Sequence, residues 1–349
     1  YIQDVTLKNA YDYYQPGFAG RAVVLQDKGN RTICKNVRML SYQDTYYSNN
    51  NDAQFYFEDS DIHGTVDFIC GGGDVFFNRC TLTVEKRNAD GSGECTITAP
   101  TTTTEFGYVF NECTVDSKAE KFNFGRAWQN LARCAYLNTT LLQPDRLNEN
   151  RWTLGGMNVP ADRFVEYNTM DESGKVISPD HLELTFTKDD KSNTYETILT
   201  EEQAKGFALD KVFTDWMPDE FAAQKKLGQL RTEGENRITW DAVDGAIAYA
   251  VFNNGRFVGM TTSTSYDVAE GDIKNYTVRA ANSHGGFGEA SNTTTSGIDE
   301  VETGEAGEAV NTAFYSVQGE RVSSTYRGIV IEVKTMTDGS KTVRKVMRQ

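Results

Sequence analysis

A short pattern of apolar and polar positions recurs through the first half of the chain. Each copy begins with a large or apolar residue, continues with polar residues, has a small residue or Val at its fourth position and ends on an apolar residue. Copies that begin at 34, 57, 77, 110 and 137 read CKNVRM, FEDSDI, FNRCTL, FNECTV and LNTTLL. Self-similarity at intervals of 20 to 33 residues is typical of a solenoid.

The segments between the copies predict strands rather than helices. They are short, rich in β-branched and aromatic residues, and separated by Asn, Asp and Gly, with little helical periodicity. An all-β fold follows, in which residues 1–228 form a parallel β-helix with a terminal helical segment. The fourth positions of the copies should form an inward stack that contains Val37, Ser60, Cys80, Cys113 and Thr140.

Two aspartates occupy equivalent positions on neighbouring copies. Asp44 follows Cys34 by ten residues, and Asp67 follows Phe57 by ten. Equivalent positions on adjacent strands lie about 4.8 Å apart. Carboxylates this close disfavour double ionisation, so the pKa of one should rise and leave an acid beside a base or nucleophile. The register alone also fits a pair of solvated turn aspartates.

The rest of the chain changes character twice. Residues 201–228 contain helix formers with polar starts and should wrap or cap the end of the solenoid. Residues 229–297 contain short strands separated by DG, NG and GD turns, which predict a β-sandwich with Trp240 and Tyr276 in its core. This region resembles a fibronectin type III domain, and its expected role is spacing or weak glycan contact.

Residues 298–349 are predicted to be a linker and a small β-rich tail. The acidic, Gly-rich and Glu-rich stretch at 297–309 precedes AFYSVQGERV, GIVIEVK and KTVRKVMRQ. The tail resembles the carboxy-terminal sorting module of secreted Bacteroidota proteins. This resemblance implies a secreted protein, or one at the surface or outer envelope of a bacterial cell, although a plain β-rich module also fits.

Composition indicates a folded, soluble protein of more than one unit. The 349 residues are 38% hydrophobic and 11% aromatic, with a mean hydropathy of −0.54. No apolar run approaches the roughly 18 to 20 residues that span a bilayer. Because the chain opens on a strand-like pattern without a leader, we expect that a secretion signal has been removed together with earlier coils.

The charge balance argues against one class of partner. The chain has 50 acidic and 35 basic residues, which give a formal net charge of −15 at pH 7. Nucleic-acid binding depends on clustered Lys and Arg that release counterions from phosphates, so no nucleic-acid partner is expected. A neutral or methyl-esterified substrate fits this balance better.

The cysteines and scattered acids predict neither a disulfide framework nor a metal site. The six cysteines include no CxxC pair, and buried structural thiols account for them. A calcium site could be imagined from Asp52, Asp59, Asp61 and Asp74, but acids on solvated turns are the simpler interpretation. We therefore expect no metal and no cofactor.

Four segments resemble a known family. SYQDT at 41–45 and GTVDFI at 64–69 lie one repeat apart, and ITAP at 97–100 and GRAW at 125–128 follow. In this order and spacing they resemble the pectin methylesterases, and the similarity extends over roughly residues 1–220 through FVEYN, TEEQA and FTDWMP. The resemblance implies a right-handed parallel β-helix and a monomeric ester hydrolase that acts on pectin.

The resemblance also implies a role for each motif residue. Asp67 would attack the methyl-ester carbonyl, while Asp44 would protonate the departing methanol and later activate water. Gln43 would donate a hydrogen bond to the oxyanion, and Arg126 would pair with Asp67. The residues expected to bind substrate are Trp128, whose flat face suits a sugar ring, together with Arg21, Phe68 and Tyr46.

Three departures from the family pattern bear on activity. RAVVL places Arg21 where the family has a second oxyanion-stabilising Gln. Arg21 either serves as a stronger donor or forms an ion pair with Asp44 or Asp67 and weakens catalysis. GGG at 71–73 and Asn78 also replace common family residues and should alter the substrate groove.

Other functions stay open on the sequence alone. A catalytically impaired glycan-binding relative is one, and an esterase for a different acyl group is another. A Ser-His-Asp esterase is disfavoured, since the chain has no GxSxG segment and only His63, His181 and His284.

Overall fold

The repeats form a stack of coils built from parallel strands. The computed structural model describes residues 1–15, 20–101, 104–222, 226–234, 236–268, 273–283, 285–291, 309–315, 321–323, 328–336 and 341–348. They fall into two compact units, Tyr1–Thr294 and Thr295–Gln349. The coil strands are β1 (Ile2–Lys8), β2 (Leu25–Asp27), β3 (Thr32–Leu40), β4 (Tyr46–Ser48), β5 (Gln54–Glu58), β6 (Asp61–Gly64), β7 (Val66–Gly71), β8 (Asp74–Asn78), β9 (Thr81–Val84), β10 (Glu94–Pro100), β11 (Tyr108–Asn111), β12 (Thr114–Ser117), β13 (Lys121–Gly125), β14 (Cys134–Leu137), β15 (Thr140–Leu141), β16 (Phe164–Tyr167) and β17 (Met170–Asp171).

Successive coils contribute strands to three parallel rows. One row runs β3-β5-β8-β11-β14-β16, and a second row runs from the same β3 through β6-β9-β12-β15-β17. The third row is β2-β4-β7-β10-β13. Since β5, β6 and β7 follow one another in the chain and enter different rows, each such trio completes one coil. The predicted parallel β-helix is confirmed, and its right-handed sense stays a prediction.

A left-handed residue turns the chain between the first two rows. Asn36, Asp59, Arg79, Glu112 and Asn138 all have φ between 49° and 53°. Asn and Asp tolerate this conformation better than most residues, which explains part of the polar pattern in the repeats.

The residue after each of these corners points into the coil. The buried stack consists of Val37, Ser60, Cys80, Cys113 and Thr139. The predicted member Thr140 is wrong by one position, because Tyr136 rather than Leu137 pairs with Phe110. Thr140 instead pairs with Thr114 and is half-buried. All six cysteines lie in described segments, where they are buried and unpaired, so the prediction of structural thiols is confirmed.

Aromatic rings form a second buried stack through the coils. Phe77 and Phe110 have ring centroids 4.5 Å apart, and Phe110 and Tyr136 have centroids 4.4 Å apart. We expect Phe110→Ala to lower the free energy of unfolding by about 3 to 5 kcal/mol, because it leaves a cavity between two rings. Urea unfolding measures this change. Leu131→Ala, at a 56% exposed side chain, should change it by about 0.5 kcal/mol or less, and equal effects of the two substitutions would contradict the stacked core.

The segment that follows the coils lies along one of their faces. It contains β18 (Glu183–Lys188), β19 (Lys191–Glu196), α1 (Glu201–Ala204), α2 (Leu209–Val212) and α3 (Pro218–Ala222), with 3₁₀ turns at Lys205–Phe207 and, earlier, Pro144–Arg146. Thr200 and Gln203 form a capping box at α1. Phe213 and Trp216 pack on Tyr56, Phe76 and Val109, which belong to three successive coils. The helical segment therefore wraps the side of the solenoid rather than capping its end.

Two small antiparallel sheets complete the first unit. Their strands are β20 (Arg231–Thr232), β21 (Arg237–Thr239), β22 (Ala248–Asn253), β23 (Arg256–Thr261), β24 (Ser265–Asp267) and β25 (Tyr276–Ala281), with a 3₁₀ turn at Ile273–Asn275. The sheets are ordered β20-β21-β24 and β23-β22-β25 and share one hydrophobic cluster. Trp240 and Tyr276 are buried in it, as predicted, whereas the fibronectin type III assignment stays a prediction.

The second unit contains one antiparallel sheet. It is ordered β27-β26-β28-β29 and consists of β26 (Ala309–Tyr315), β27 (Arg321–Val322), β28 (Gly328–Met336) and β29 (Lys341–Arg348). Residues 297–308 of the predicted acidic linker lie outside the described residues. A search of the described residues finds no helix with the length and apolar character needed to cross a membrane.

Candidate active site

Strand register aligns Asp44 and Asp67 on neighbouring coils. Tyr46 pairs with Ile69, and each aspartate precedes its paired residue by two positions. The backbone nitrogen of Asp44 also donates to the carbonyl of Val66, at 3.3 Å. Both aspartates have left-handed backbones, with φ of 56° and 50°, a conformation that Asp tolerates better than most residues. The predicted juxtaposition of the two residues is therefore present in the fold.

A small cavity brings the motif residues together. It has a volume of about 120 Å³ and is lined by Arg21, Gln43, Asp44, Asp67, Arg126, Trp128 and Met157. An adjoining cavity of about 510 Å³ shares Gln43 and Arg126 with it and extends towards Arg87 and Thr153. A polymer could thus lie across the aspartate pair with part of its length in the larger cavity.

Arg126 holds Asp67 with two hydrogen bonds. Its Nε donates to Oδ1 at 2.8 Å, and its Nη2 donates to Oδ2 at 2.5 Å. The bond to Asp67 is also the main reason that the pKa of Arg126 is raised. Gly125, just before Arg126, packs closely on the preceding coil, where a Cβ would lie 2.3 Å from Oγ1 of Thr98. The two hydrogen bonds from Arg126 neutralise the Asp67 charge and fix the plane of its carboxylate.

Asp44 has a raised pKa. Burial, followed by the charge of Asp67, raises the pKa of Asp44 to about 6. Arg21, Gln43 and Arg126 act in the opposite direction and limit the rise. Around pH 6 the site can therefore offer a protonated Asp44 beside the Asp67 carboxylate that Arg126 holds.

Arg21 forms its ion pair with Asp44 rather than with Asp67. Its Nε lies 3.4 Å from Oδ2 of Asp44, and 76% of the Arg21 side chain is exposed. Because the Arg21 guanidinium is largely in water, its attraction for the buried Asp44 carboxyl is weakened by solvent, although it still lowers the pKa of that group. The structure thus brings Arg21 to the acid rather than to the carboxylate held by Arg126.

Two half-buried aromatic rings lie beside the aspartates. The ring centroids of Trp128 and Tyr47 are 6.0 Å apart, with an interplanar angle of 35°. Backbone bonds fix Trp128, since its nitrogen donates to the carbonyl of Pro100 at 3.0 Å and its carbonyl accepts from Nδ2 of Asn158 at 2.9 Å. Such rings can stack on the apolar faces of sugars.

Comparison with known proteins places this geometry in a family. The family model named Pectinesterase matches residues 2–211. The chain belongs to the pectinesterase family.

Curated pectinesterases are similar over part of their length. Probable pectinesterase A of Aspergillus niger is 24% identical over 222 residues, which cover 62% of this chain and 59% of that protein. Pectinesterase B of Dickeya dadantii is 32% identical over 150 residues, covering 38% and 34%. Probable pectinesterase/pectinesterase inhibitor 21 of Arabidopsis thaliana is 31% identical over 145 residues, covering 38% and 20%. This chain therefore spans less than two thirds of each of these relatives.

Two solved structures of pectin methylesterases also match. Pectin methylesterase PemA from Erwinia chrysanthemi has a TM-score of 0.46 and 24% identity, over 62% of this chain and 70% of that one. The enzyme from carrot has a TM-score of 0.45 and 19% identity, over 61% and 64%.

Two of the residues predicted to bind the pectinesterase substrate are in the core instead. Tyr46 and Phe68 have no exposed surface, so neither can contact a polysaccharide, and that part of the prediction is wrong. Tyr46 packs edge-to-face on Phe57, with ring centroids 4.7 Å apart. For Phe68 the physical reason is local alternation, because the residue next to an outward-facing aspartate points into the coil. Tyr46 lies two residues after Asp44, whose left-handed backbone interrupts the alternation, so that Thr45 and Tyr46 are both buried.

Sequence reasoning missed Tyr47 and Met157. Tyr47 lies beside a motif, and alternation from the inward Tyr46 could have identified it. Met157 lies outside every motif and reaches the cavity because the backbone nitrogen of Asn158 donates to the carbonyl of Ala127 at 3.0 Å. That contact joins two coils and leaves no signal in the local sequence.

The scattered acids of the pectinesterase domain have protein partners. Asp59 pairs with Arg79, Asp61 with Arg38, and Asp74 accepts backbone hydrogen bonds from residues 105–107. Within the described segments, no group of three or more His, Cys, Asp or Glu side chains could hold a metal ion.

Asp44→Asn is expected to stabilise the fold above pH 6. Since the folded pKa of Asp44 lies above its ordinary value of 3.8, ionising it costs free energy as the pH rises from about 4 through 6. The amide lacks this cost, so the free energy of unfolding at pH 8 should rise by about 2 kcal/mol and change little at pH 4. Urea unfolding at both pH values measures the difference.

Asp189→Asn is the matched control for this substitution. Asp189 also has a left-handed backbone, with φ of 52°, but its side chain is 81% exposed. It should show no pH-dependent gain. A stabilisation by Asp44→Asn that is the same at pH 4 and pH 8 would contradict the raised pKa.

Proposed function

We propose that this chain hydrolyses the methyl esters of pectin to pectate and methanol by a two-aspartate mechanism. The observation that carries the proposal is the pairing of two unlike carboxylates in one cavity. Asp67 accepts two hydrogen bonds from Arg126, while the pKa of Asp44 is raised to about 6. A pair of this kind supplies a nucleophile and an acid from the same residue type.

In the first half of the reaction, a carboxylate oxygen of Asp67 attacks the ester carbonyl carbon. The carbonyl electrons move onto oxygen, where the side-chain amide of Gln43 can stabilise the charge. As the intermediate collapses, the bond to the methoxy oxygen breaks and Asp44 donates its proton to that oxygen. The products are methanol, an acyl anhydride on Asp67 and an ionised Asp44.

In the second half, the ionised Asp44 takes a proton from a water molecule, whose oxygen attacks the acyl carbon. Breaking the anhydride bond releases the galacturonic acid, which loses its proton to solvent, and restores the Asp67 carboxylate. Asp44 is then protonated again, as at the start. Arg126 keeps Asp67 in one orientation during both attacks, and Trp128 and Tyr47 are suited to hold the sugar rings.

The setting of this activity is also part of the proposal. The net charge of −15 suits a neutral, methyl-esterified homogalacturonan, and the chain would act on it as a monomer. The resemblance of residues 298–349 to a sorting module supports secretion or a place at the bacterial surface. The sandwich-like sheets of residues 229–297 would serve as a spacer or a weak glycan contact.

Methanol release from highly methylated pectin tests the proposal, and its pH dependence tests the role of Asp44. Because the first half-reaction needs protonated Asp44, kcat/KM should fall about tenfold per pH unit above pH 6. Arg21→Gln should move this fall in kcat/KM, the alkaline limb of the pH profile, to higher pH, since the Arg21 charge lowers the pKa of Asp44. A limb that does not respond to Arg21→Gln would contradict the ion pair.

A folded chain that releases no methanol would refute the proposed activity. Binding to pectin without methanol release, unchanged by loss of either aspartate, would support a glycan-binding relative instead. Release of acid from acetyl or thioester substrates without action on pectin would support an esterase for another acyl group.

A further inference from the structure

A buried histidine lies between two carboxylates next to the candidate site. His63 is 8% exposed, and its Nε2 lies 2.9 Å from Oδ2 of Asp61 while its Nδ1 lies 2.8 Å from Oε1 of Glu85. A neutral imidazole has one N–H and can donate to only one of these oxygens. Both contacts are hydrogen bonds only when the ring is an imidazolium.

Each coil that faces His63 contributes a group to this cluster. From β3, Arg38 donates its Nε to Asp61 at 2.9 Å, and its Nη2 lies 3.5 Å from the ring. From β9, Thr83 donates its hydroxyl to Asp61 at 3.3 Å. Beyond β12, Lys118 donates to Glu85 at 2.7 Å, and the charge of Glu85 contributes to the raised pKa values of Tyr14 and Tyr42.

The charges of the cluster favour the protonated ring. Burial alone would lower the pKa of His63, but its hydrogen bonds to Asp61 and Glu85 outweigh burial and raise it. Burial alone would raise the pKa values of those two acids, and the hydrogen bonds from His63 outweigh burial and lower them. The three groups therefore stabilise one another in their ionised forms.

The backbone of His63 is tied to the coil that carries Asp44. Its carbonyl accepts a hydrogen bond from the hydroxyl of Thr45, at 2.7 Å. Two residues later, the nitrogen of Thr65 donates to the carbonyl of Tyr42, at 2.8 Å. The corner is tightly packed, since a Cβ on Gly64 would lie 2.0 Å from the Cβ of Phe68.

We propose that His63, as an imidazolium, is a positioning residue that sets the spacing between Asp44 and Asp67. Its ring anchors the corner at residues 63–67 to the outer face of the coils, and its carbonyl fixes segment 42–45 against that corner. His63 does not line either cavity at the site, so it acts through the backbone rather than on the substrate. The inference rests on the proposed function for its effect on rate.

The role has a defined dependence on pH. A histidine whose folded pKa is raised stabilises the fold fully below its ordinary value of about 6.5, and this contribution is lost as the pH rises through the folded pKa. Above that pKa the neutral ring can donate a hydrogen bond to only one of the two carboxylates, Asp61 or Glu85. The spacing of the aspartates then loosens, and kcat should fall while KM stays unchanged.

The experiment compares wild-type protein with His63→Gln across pH. The kcat of the wild type for methanol release should be about tenfold that of His63→Gln at pH 5.5, and the two values should become equal by pH 9. The titration of Asp44 occurs in both proteins and cancels in the ratio of their kcat values. His181→Gln is the matched control, because its side chain is 88% exposed, and its ratio should stay near one. A ratio for His63→Gln that is constant with pH would overturn the proposal and indicate a packing role.

Two measurements keep the test independent of esterase activity and of the folding of the variant. Imidazole NMR signals of the wild-type protein, assigned with His181→Gln and His284→Gln, should show His63 titrating above pH 6.5. Titration at or below that value would overturn the proposal. If the wild type releases no methanol at any pH, the proposed function fails, while the His63 titration still decides whether the doubly anchored imidazolium exists.

Discussion

Asp67→Asn is expected to abolish methanol release from highly methylated pectin, with a loss in kcat of about 10⁴-fold or more. The amide has no carboxylate oxygen with which to form the acyl intermediate, and no other described carboxylate accepts two hydrogen bonds from Arg126. Asn also tolerates the left-handed backbone at this position, where φ is 50°. Initial rates of methanol release on both proteins measure the change.

The control is a variant with the same Asp-to-Asn change at an exposed position. Asp189→Asn removes a carboxylate from another left-handed position and should retain full activity. Urea unfolding of both variants checks that they are folded. If Asp67→Asn keeps a rate within tenfold of wild type, Asp67 is not the nucleophile.

Arg126→Lys is expected to lower kcat by about 10²- to 10³-fold with a smaller change in KM. A lysine keeps the positive charge but cannot make the two parallel hydrogen bonds of the guanidinium, so the Asp67 carboxylate rotates away from its attacking geometry. Steady-state kinetics on methylated pectin separates the two parameters.

Arg87→Lys provides the comparison for this substitution. Arg87 lines the adjoining cavity of about 510 Å³, and no carboxylate is paired with it among the described residues. We expect little change in kcat from it. A loss in Arg126→Lys that falls entirely on KM would assign Arg126 to substrate binding instead of to the orientation of Asp67.

Local repeats explain why the coil architecture could be predicted from sequence. A residue at the left-handed corner must be polar or small, and the residue after it must fit inside, so each coil leaves the same short signature. The signature failed at Thr140, where Leu137 resembles the large first residue of a copy. The true register depends on which residue pairs with Phe110, and local sequence does not record that choice.

The candidate site was predictable where it depends on register and not where it depends on contacts between coils. Asp44 and Asp67 follow from equivalent positions on two copies. Tyr46 and Phe68 were placed on the wrong side of the strand, since a motif shows proximity to the site without the direction of a side chain. Met157 reaches the cavity through packing on the GRAW segment, and no local sequence pattern predicts that contact.

The parallel pairing of coils has a consequence for how such a site can arise and change. The separation of Asp44 and Asp67 follows the spacing of backbone strands, which the proposed His63 anchor would hold constant, and it does not depend on the loop lengths between coils. Adjacent coils offer a similar separation at their outward positions wherever their register is regular, which excludes the shift between Thr96 and Thr98 in the pairing of β7 with β10. Outward-facing positions on adjacent coils are therefore similar enough that an active site could be rebuilt one coil further along by exchanging side chains alone.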